Sequence, residues 1–171
     1  MILGLDISTS ITGITVVSDL GDVLLNESVD TRKYKSFFLK AEKMKSCLTN
    51  ISKNYNIKEV YIEQSLQSFR SGFSSAKTLS TLSRFNGVVS WMCYSLWSVE
   101  PEYLAATSAR KLCGIKVPKG QKAKPVVLQF VVDNEPTFVL EYTRNGNPKP
   151  DAYDKADSWV IAKAGYYKKT S

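Results

Sequence analysis

The chain has 171 residues, 43% of them hydrophobic, a formal net charge of +7 and a pI of about 9.3. These values fit one folded domain over residues 1–171 and exclude a disordered chain. We expect no membrane segment, because no apolar stretch reaches the roughly 20 residues of a spanning helix, and no signal peptide. The basic charge favours nucleic acid as a partner, although a lysine-rich soluble surface would give the same charge.

The chain contains no histidine and three cysteines, Cys47, Cys93 and Cys113. Without histidine, Ser–His and Cys–His triads and a histidine general base are excluded. The cysteine spacing fits no zinc site, and the apolar neighbours indicate reduced core residues. An odd cysteine count indicates a reducing compartment, and we expect the cytoplasm of a bacterial or phage-infected cell.

The first half of the chain predicts an antiparallel meander, a helix and a further strand. Short turns separate the first three apolar runs, and the intervening helix predicts that the fourth strand runs parallel to the first. In chain order, the predicted elements are strands over 2–6, 12–17 and 23–29, a helix over 36–53 and a strand over 60–63.

The second half predicts one more strand and four helices. The whole order predicts an α/β protein with a five-stranded mixed sheet flanked by helices. The predicted elements are a helix over 75–97, a strand over 103–106, a short helix capped by Thr107 or Ser108, a helix over 126–132 after a lysine-rich loop over 116–125, and a final helix over 154–167 after a loop over 143–150.

Four acidic residues stand at structured positions of this plan. Asp6 and Glu63 each close an apolar strand, and Asp154 and Asp157 share one face of the last helix. Carboxylates that converge would repel one another without a counter-ion, and two Mg²⁺ ions about 3.5–4 Å apart would supply it. The usual substrate of such a site is a phosphodiester.

Each acid also has an ordinary structural explanation. Asp6 fits a turn, Glu63 fits a solvated strand end, and Asp154 fits a helix cap, a role that Asp151 could equally fill. The joint occurrence of all four acids, in this order and on these elements, favours the metal site.

The sequence around these acids resembles the RuvC-type Holliday junction resolvases, which have a ribonuclease H-like fold. Residues 4–13 (GLDISTSITG) resemble the family's opening strand, turn and Thr-Gly strand, although Ile7 and Ser8 replace the usual Pro-Gly of bacterial members. Residues 60–64 (VYIEQ) resemble the family's IEQ strand end, and residues 154–158 (DKADS) resemble its closing D-x-A-D-A helix. The resemblance spans nearly the whole chain.

This resemblance implies a site in which Asp6, Glu63, Asp154 and Asp157 hold two Mg²⁺ or Mn²⁺ ions, with Asp6 bridging them. It implies a homodimer whose subunits each nick one strand of a four-way DNA junction, leaving 5′-phosphate and 3′-hydroxyl ends. Water is the expected nucleophile, and no nucleotide cofactor is expected.

The resemblance also places a basic region near the scissile phosphate. Lys122 is predicted to stabilise charge there as a catalytic residue, with Lys119 as the alternative. A solvated basic loop is the competing explanation. Lys116, Lys119 and Lys124 are predicted to contact DNA.

The segment after Glu63 is predicted to contact DNA through Leu66, Phe69, Arg70 and Phe73. Relatives place an aromatic wedge here; Leu66 stands at the matching offset, and Phe69 follows three residues later. Core packing is an alternative for Phe73. The helix over 75–97 is apolar on more than one face, which predicts a dimer interface or simple burial.

Other functions compete with junction resolution. The same fold could serve a nuclease acting on another branched DNA or an RNA–DNA substrate. A nucleotide-binding protein of the actin/sugar-kinase superfamily also ends its first strand in Asp, but this chain lacks the second half and the Gly-rich partner motif that such a protein needs. A junction-binding protein without catalysis is disfavoured by the intact acidic set.

Overall fold

The computed structural model describes residues 1–64 and 76–170, which form a five-stranded sheet with helices on both faces. This architecture confirms the predicted α/β class and the predicted order of elements. The elements are β1 (Ile2–Asp6), β2 (Ile11–Val17), β3 (Val23–Asp30), α1 (Phe37–Asn54), β4 (Glu59–Glu63), α2 (Ala76–Trp97), β5 (Glu102–Leu104), α3 (Ala106–Leu112), α4 (Ala123–Asn134) and α5 (Asp151–Thr170).

The strands lie in the order β3-β2-β1-β4-β5, so β1 is central. β1, β2 and β3 form the predicted antiparallel meander, with Asp6 opposite Gly13. β4 runs parallel to β1, with Leu5 beside Ile62, and β5 runs parallel to β4. Parallel neighbours follow from the helical crossovers between them, and they bring the ends of β1 and β4 to one edge of the sheet.

Alternation along β1 divides its side chains between two cores. Leu3 and Leu5 pack with α1 and α2 on one face. Ile2 packs with α3, α4 and α5 on the other face, where Gly4 contacts Ala162 of α5. Asp6 has the same parity as Ile2 and Gly4, so it belongs to the face that α5 covers.

Helix α5 lies unusually close to the sheet because glycine occupies the contact points. A Cβ atom at Gly13 would stand 1.9 Å from the Asp154 carbonyl oxygen, and one at Gly4 would stand 2.4 Å from the Ala162 nitrogen. Gly165 makes the reciprocal contact with the Tyr61 ring. No side chain larger than hydrogen fits at these places unless the helix moves.

Buried polar contacts fix the rotation of α5 on the sheet. The hydroxyls of Thr15 and Ser158 are 2.9 Å apart, and the Asn26 amide donates to Thr15 Oγ1 and to the Lys155 carbonyl. The Lys155 ammonium lies 3.6 Å from the Asp151 carboxylate. At the far end, Lys168 bonds Glu102 and Lys169 bonds Glu59.

Several predicted boundaries were wrong by a few residues. α4 begins at Ala123 rather than 126, because Pro125 falls in the first helical turn, where no backbone N–H is needed. α3 has Ala105 as its N-cap, so neither Thr107 nor Ser108 caps it. β5 ends at Leu104 instead of 106, and α5 begins at Asp151 rather than Asp154.

The structure also bears on compartment and membrane predictions. Within residues 1–64 and 76–170, no helix has the length and apolar character required to cross a bilayer. All three cysteines are free, and burial raises the pKa of each thiol to about 12. Thiols with such pKa values remain protonated, as expected of core cysteines.

Gly13→Ala should destabilise the protein by about 1–3 kcal/mol, because its methyl group collides with the α5 backbone. For a chain of this size, that corresponds to a loss of roughly 2–4 °C in melting temperature per kcal/mol. Gly87→Ala in α2 is the control, because a Cβ there meets nothing within 4 Å. Calorimetry that finds the two variants equally stable would contradict the tight contact.

Candidate active site

Two carboxylates meet where the parallel strands β1 and β4 end. Asp6 is the last residue of β1 and Glu63 is the last residue of β4. The register pairs Leu5 with Ile62, so the two acids follow neighbouring positions. Glu63 also has the parity of Tyr61, which packs against α5, so both acids belong to the face that this helix covers.

Helix α5 brings two more carboxylates to the same edge. The Asp154 carbonyl lies against Gly13, and Gly13 is the register partner of Asp6. Asp157 follows one helical turn later on the same face of α5. Three separate segments of the chain therefore bring their acids to one edge of the sheet.

The four acids interact electrostatically, and this interaction shifts their pKa values. Burial, followed by the charges of Glu63, Asp157 and Asp154, raises the pKa of Asp6 well above its ordinary value. Burial and then Asp157 raise the pKa of Glu63 to about 7. Burial is also the largest cause that raises the pKa of Asp154, to about 6, and that of Asp157. The site is therefore short of positive charge in the protein alone.

Two cations from the helices after β5 partly offset this charge. Lys124 Nζ, in the first turn of α4, lies 3.9 Å from Asp157 Oδ2. Lys124 acts to lower the pKa of all four acids, and Arg110 of α3 acts to lower those of Glu63 and Asp157. The Lys124 side chain is 63% exposed, so it can also reach a ligand from solvent.

Sequence reasoning missed the part played by these two cations. From the sequence, Lys124 is predicted only to contact DNA, and its effect on the pKa values of the four acids is not anticipated. Arg110 was not singled out at all. Arg110 lies one turn into the helix that follows β5, and the start of that helix adjoins the end of β4, where the Gln64 N–H donates to the Leu104 carbonyl.

The remaining predicted site residues divide into two groups. Lys116 and Lys119 are exposed in the loop between α3 and α4, and Lys122 is the exposed N-cap residue of α4. Their predicted roles stay predictions. The predicted DNA contacts Leu66, Phe69, Arg70 and Phe73 lie outside the described residues.

The chemical character of the donors suits a hard divalent cation. Mg²⁺ and Mn²⁺ prefer carboxylate oxygens, and the raised pKa values reflect a charge that such an ion would compensate. Over residues 1–64 and 76–170, however, no three acidic or cysteine side chains already form a cluster that could hold a metal ion. The four carboxylates therefore lie at one edge of the sheet without forming a complete metal-binding site.

Comparison with known proteins supports the fold. No protein-family model and no curated protein sequence matches the chain. Among solved structures, it resembles Thermus thermophilus RuvC in complex with Holliday junction substrate, with a TM-score of 0.68, 14% identity, and 99% of this chain and 95% of that chain covered. A second Thermus thermophilus RuvC structure gives a TM-score of 0.65 at 18% identity, with the same coverage.

A eukaryotic structure resembles it as well. The yeast mitochondrial Holliday junction resolvase Ydc2 gives a TM-score of 0.62 at 12% identity, covering 99% of this chain and 78% of that chain. The chain thus has a ribonuclease H-like fold. Its arrangement is the one found in RuvC-type Holliday junction resolvases, which agrees with the resemblance of the sequence motifs.

Glu63→Gln should make the metal-free protein less sensitive to pH. The folded-state pKa of about 7 exceeds the ordinary 4.5, so folding takes up a proton between these values. The stability contribution is therefore fully present below about pH 4.5 and is lost as the pH rises towards 7. In EDTA, Glu63→Gln should gain stability over wild type at pH 8 and little at pH 4.5.

Urea unfolding at both pH values measures this effect. The control is Glu42→Gln on the exposed surface of α1, which removes one charge from a helix on the opposite face of the sheet. If Glu42→Gln and Glu63→Gln change the pH dependence equally, the raised pKa of Glu63 is refuted.

Proposed function

We propose that the protein is a metal-dependent, structure-selective endonuclease that resolves four-way DNA junctions by paired symmetric nicks. The observation that carries this proposal is the convergence of Asp6, Glu63, Asp154 and Asp157 at one edge of a RuvC-like sheet. The printed description of one structural neighbour, a complex with a Holliday junction substrate, supports branched DNA as the partner. The net charge of +7 is consistent with a polyanion.

The four acids would hold Mg²⁺ or Mn²⁺, two ions per site, and Asp6 is the acid whose pKa the charges of the other three all raise. When bound, such ions activate water and stabilise the leaving oxygen of a phosphodiester. The chain itself orients the acids, since α5 is fixed against the sheet by Gly13 and by the Thr15–Ser158 contact. Lys124 is positioned to bind a non-bridging oxygen of the phosphate and offset its developing charge.

Paired nicks require two active sites, and we propose a homodimer that uses the α1–α2 face. A groove of about 710 Å³ lies there, lined by residues that include Phe37, Val88 and Arg84. Phe38 is 77% exposed and Trp91 is 65% exposed beside it, which is unusual for large apolar side chains. Sedimentation velocity of the wild-type protein tests the dimer directly.

Asp6→Asn should abolish cleavage yet leave junction binding in Ca²⁺ nearly unchanged. The amide keeps the shape of the side chain but removes the central anionic ligand, while the phosphate contacts elsewhere persist. Gel assays with a labelled four-way junction measure cleavage in Mg²⁺ and binding in Ca²⁺. Asp133→Asn, on the exposed surface of α4, is the matched control and should cut normally. Full cleavage by Asp6→Asn would exclude Asp6 from the site.

Lys124→Ala should slow single-turnover cleavage by about 10²-fold or more while weakening binding only slightly, because its contact would matter most as charge develops. Lys122→Ala, the variant favoured by sequence reasoning alone, is the neighbouring comparison. A larger cleavage defect in Lys122→Ala than in Lys124→Ala would favour Lys122 as the catalytic lysine, as the sequence predicts. Equal loss of binding and cleavage in Lys124→Ala would make it only a contact residue.

The four acids are also compatible with another branched DNA or an RNA–DNA hybrid as the substrate, so the substrate is tested separately. The decisive experiment incubates the protein in Mg²⁺ with labelled four-way, linear duplex and hybrid substrates and maps the nicks. Symmetric nicks confined to the four-way junction support resolution. Cleavage of the hybrid alone supports the alternative nuclease, and binding without cleavage supports a non-catalytic junction protein.

A further inference from the structure

A basic turn lies at the acidic edge of the sheet, on the side away from Lys124 and Arg110. The turn comprises residues 30–36, between β3 and α1, and we call it the β3–α1 turn. It carries three exposed cations, Arg32, Lys33 and Lys35, against one carboxylate, Asp30, which leaves an excess of two positive charges. None of these residues belongs to the acidic motifs or to the lysine-rich loop.

The strand order fixes where this turn lies. Asp30 pairs with Ile11 at the start of β2, and the antiparallel β1–β2 pairing puts that start beside the end of β1 at Asp6. β3 is at one margin of the sheet, and β5, which leads to Arg110, is at the other. The acids therefore lie between two groups of cations.

The β3–α1 turn is held in place by hydrogen bonds to the loop that follows Asp6. Thr31 is fully buried; its N–H donates to the Ser10 carbonyl at 2.8 Å, and its hydroxyl contacts the carbonyls of Thr9 and Ser10. Lys40 of α1 also donates to the Thr9 carbonyl. These hydrogen bonds attach the β3–α1 turn to the loop that begins directly after Asp6.

Within the turn, the three cations differ in their interaction partners. The Asp30 carboxylate accepts hydrogen bonds from Arg32 Nε at 3.0 Å and from Arg32 Nη2 at 2.5 Å. The charges of Asp30 and Arg32 therefore offset each other. Lys33 Nζ lies 5.1 Å from the centre of the Tyr34 ring, and Lys35 is exposed. The pKa of Arg32 is raised by Asp30 first, and Asp151 and Asp154 add to the rise, so the turn lies within the field of the acidic site.

We propose that the β3–α1 turn binds the sugar–phosphate backbone of the strand being cut, through Lys33 and Lys35, on the side of the scissile phosphate opposite Lys124. This inference rests on the proposed nuclease function. Two inter-strand spacings, about 10 Å, separate β3 from β1. At that separation, the contacted phosphate lies on the same strand within a few nucleotides of the cut.

The first test compares two charge-reversal double variants. Lys33→Glu/Lys35→Glu changes the turn, and Lys53→Glu/Lys58→Glu makes the same change in charge on exposed lysines near the opposite end of the sheet. Anisotropy with a labelled four-way junction in Ca²⁺, over a series of salt concentrations, gives each affinity. The turn variant should bind about tenfold or more weakly, with a salt slope reduced by about 2, and the control should change far less.

The second test locates the contact on the DNA. Methylphosphonate linkages, which remove the charge of single phosphates, are placed one at a time along the strand that is cut. Wild-type affinity should fall when the neutral linkage is within a few nucleotides of the cut on one side, and Lys33→Glu/Lys35→Glu should no longer respond at those positions. Thermal melts of both double variants verify that they are folded.

The outcomes separate this inference from the function on which it rests. If wild type cuts DNA but the two double variants weaken binding equally, or respond alike at every neutral linkage, the turn is only a solvated basic surface and the inference is overturned. If wild type neither binds nor cuts four-way, duplex or hybrid substrates, the proposed function fails, and the inference fails with it.

Discussion

The contact between α5 and the sheet is the constraint on which the site depends. Because Gly13 and Gly4 have no side chains, the backbone of α5 approaches the β1–β2 pair more closely than any other residue would allow. This approach places the first turns of the helix directly over the end of β1. Asp154 and Asp157 then reach the acids of the strands without needing a long loop to carry them.

The close approach of the four carboxylates is electrostatically unfavourable. Four carboxylates in a partly buried place raise one another's pKa values, and Lys124 and Arg110 compensate only part of the charge. The fold supports this arrangement with two hydrophobic cores and with satisfied polar contacts such as Thr15 to Ser158. Buried carboxylates that oppose folding in this way are common where a ligand supplies the missing charge.

The architecture could be predicted from the sequence because it depends on patterns within short segments of the chain. Apolar runs ending at Asp6 and Glu63 predicted two buried strands, and the helix between them predicted that they are parallel. The order of elements and the convergence of the four acids followed from these features. Helix starts were less certain, since Pro125 was interpreted as preceding its helix, whereas its fixed φ and missing N–H suit the first turn equally well.

The earlier helix start also changes where the predicted lysines lie. A helix beginning three residues earlier turns Lys124 from a loop residue into a first-turn residue packed beside α5, while Lys122 becomes an exposed cap. Arg110 could be assigned only by knowing that β5 ends next to β4. Such relationships depend on which strands are neighbours in space, and spacing along the chain does not encode them.

Helix α5 is also restrained at its far end, where Lys168 and Lys169 bond to Glu102 and Glu59. Exposed ion pairs of this kind are weak individually, but the glycine contacts already prevent the helix from sliding. Any adjustment of Asp154 and Asp157 to a bound ligand must therefore come from torsion about their own short side chains. Aspartate, with only two such torsions, limits the positions that its oxygens can take, so the backbone rather than the ligand sets the dimensions of the site.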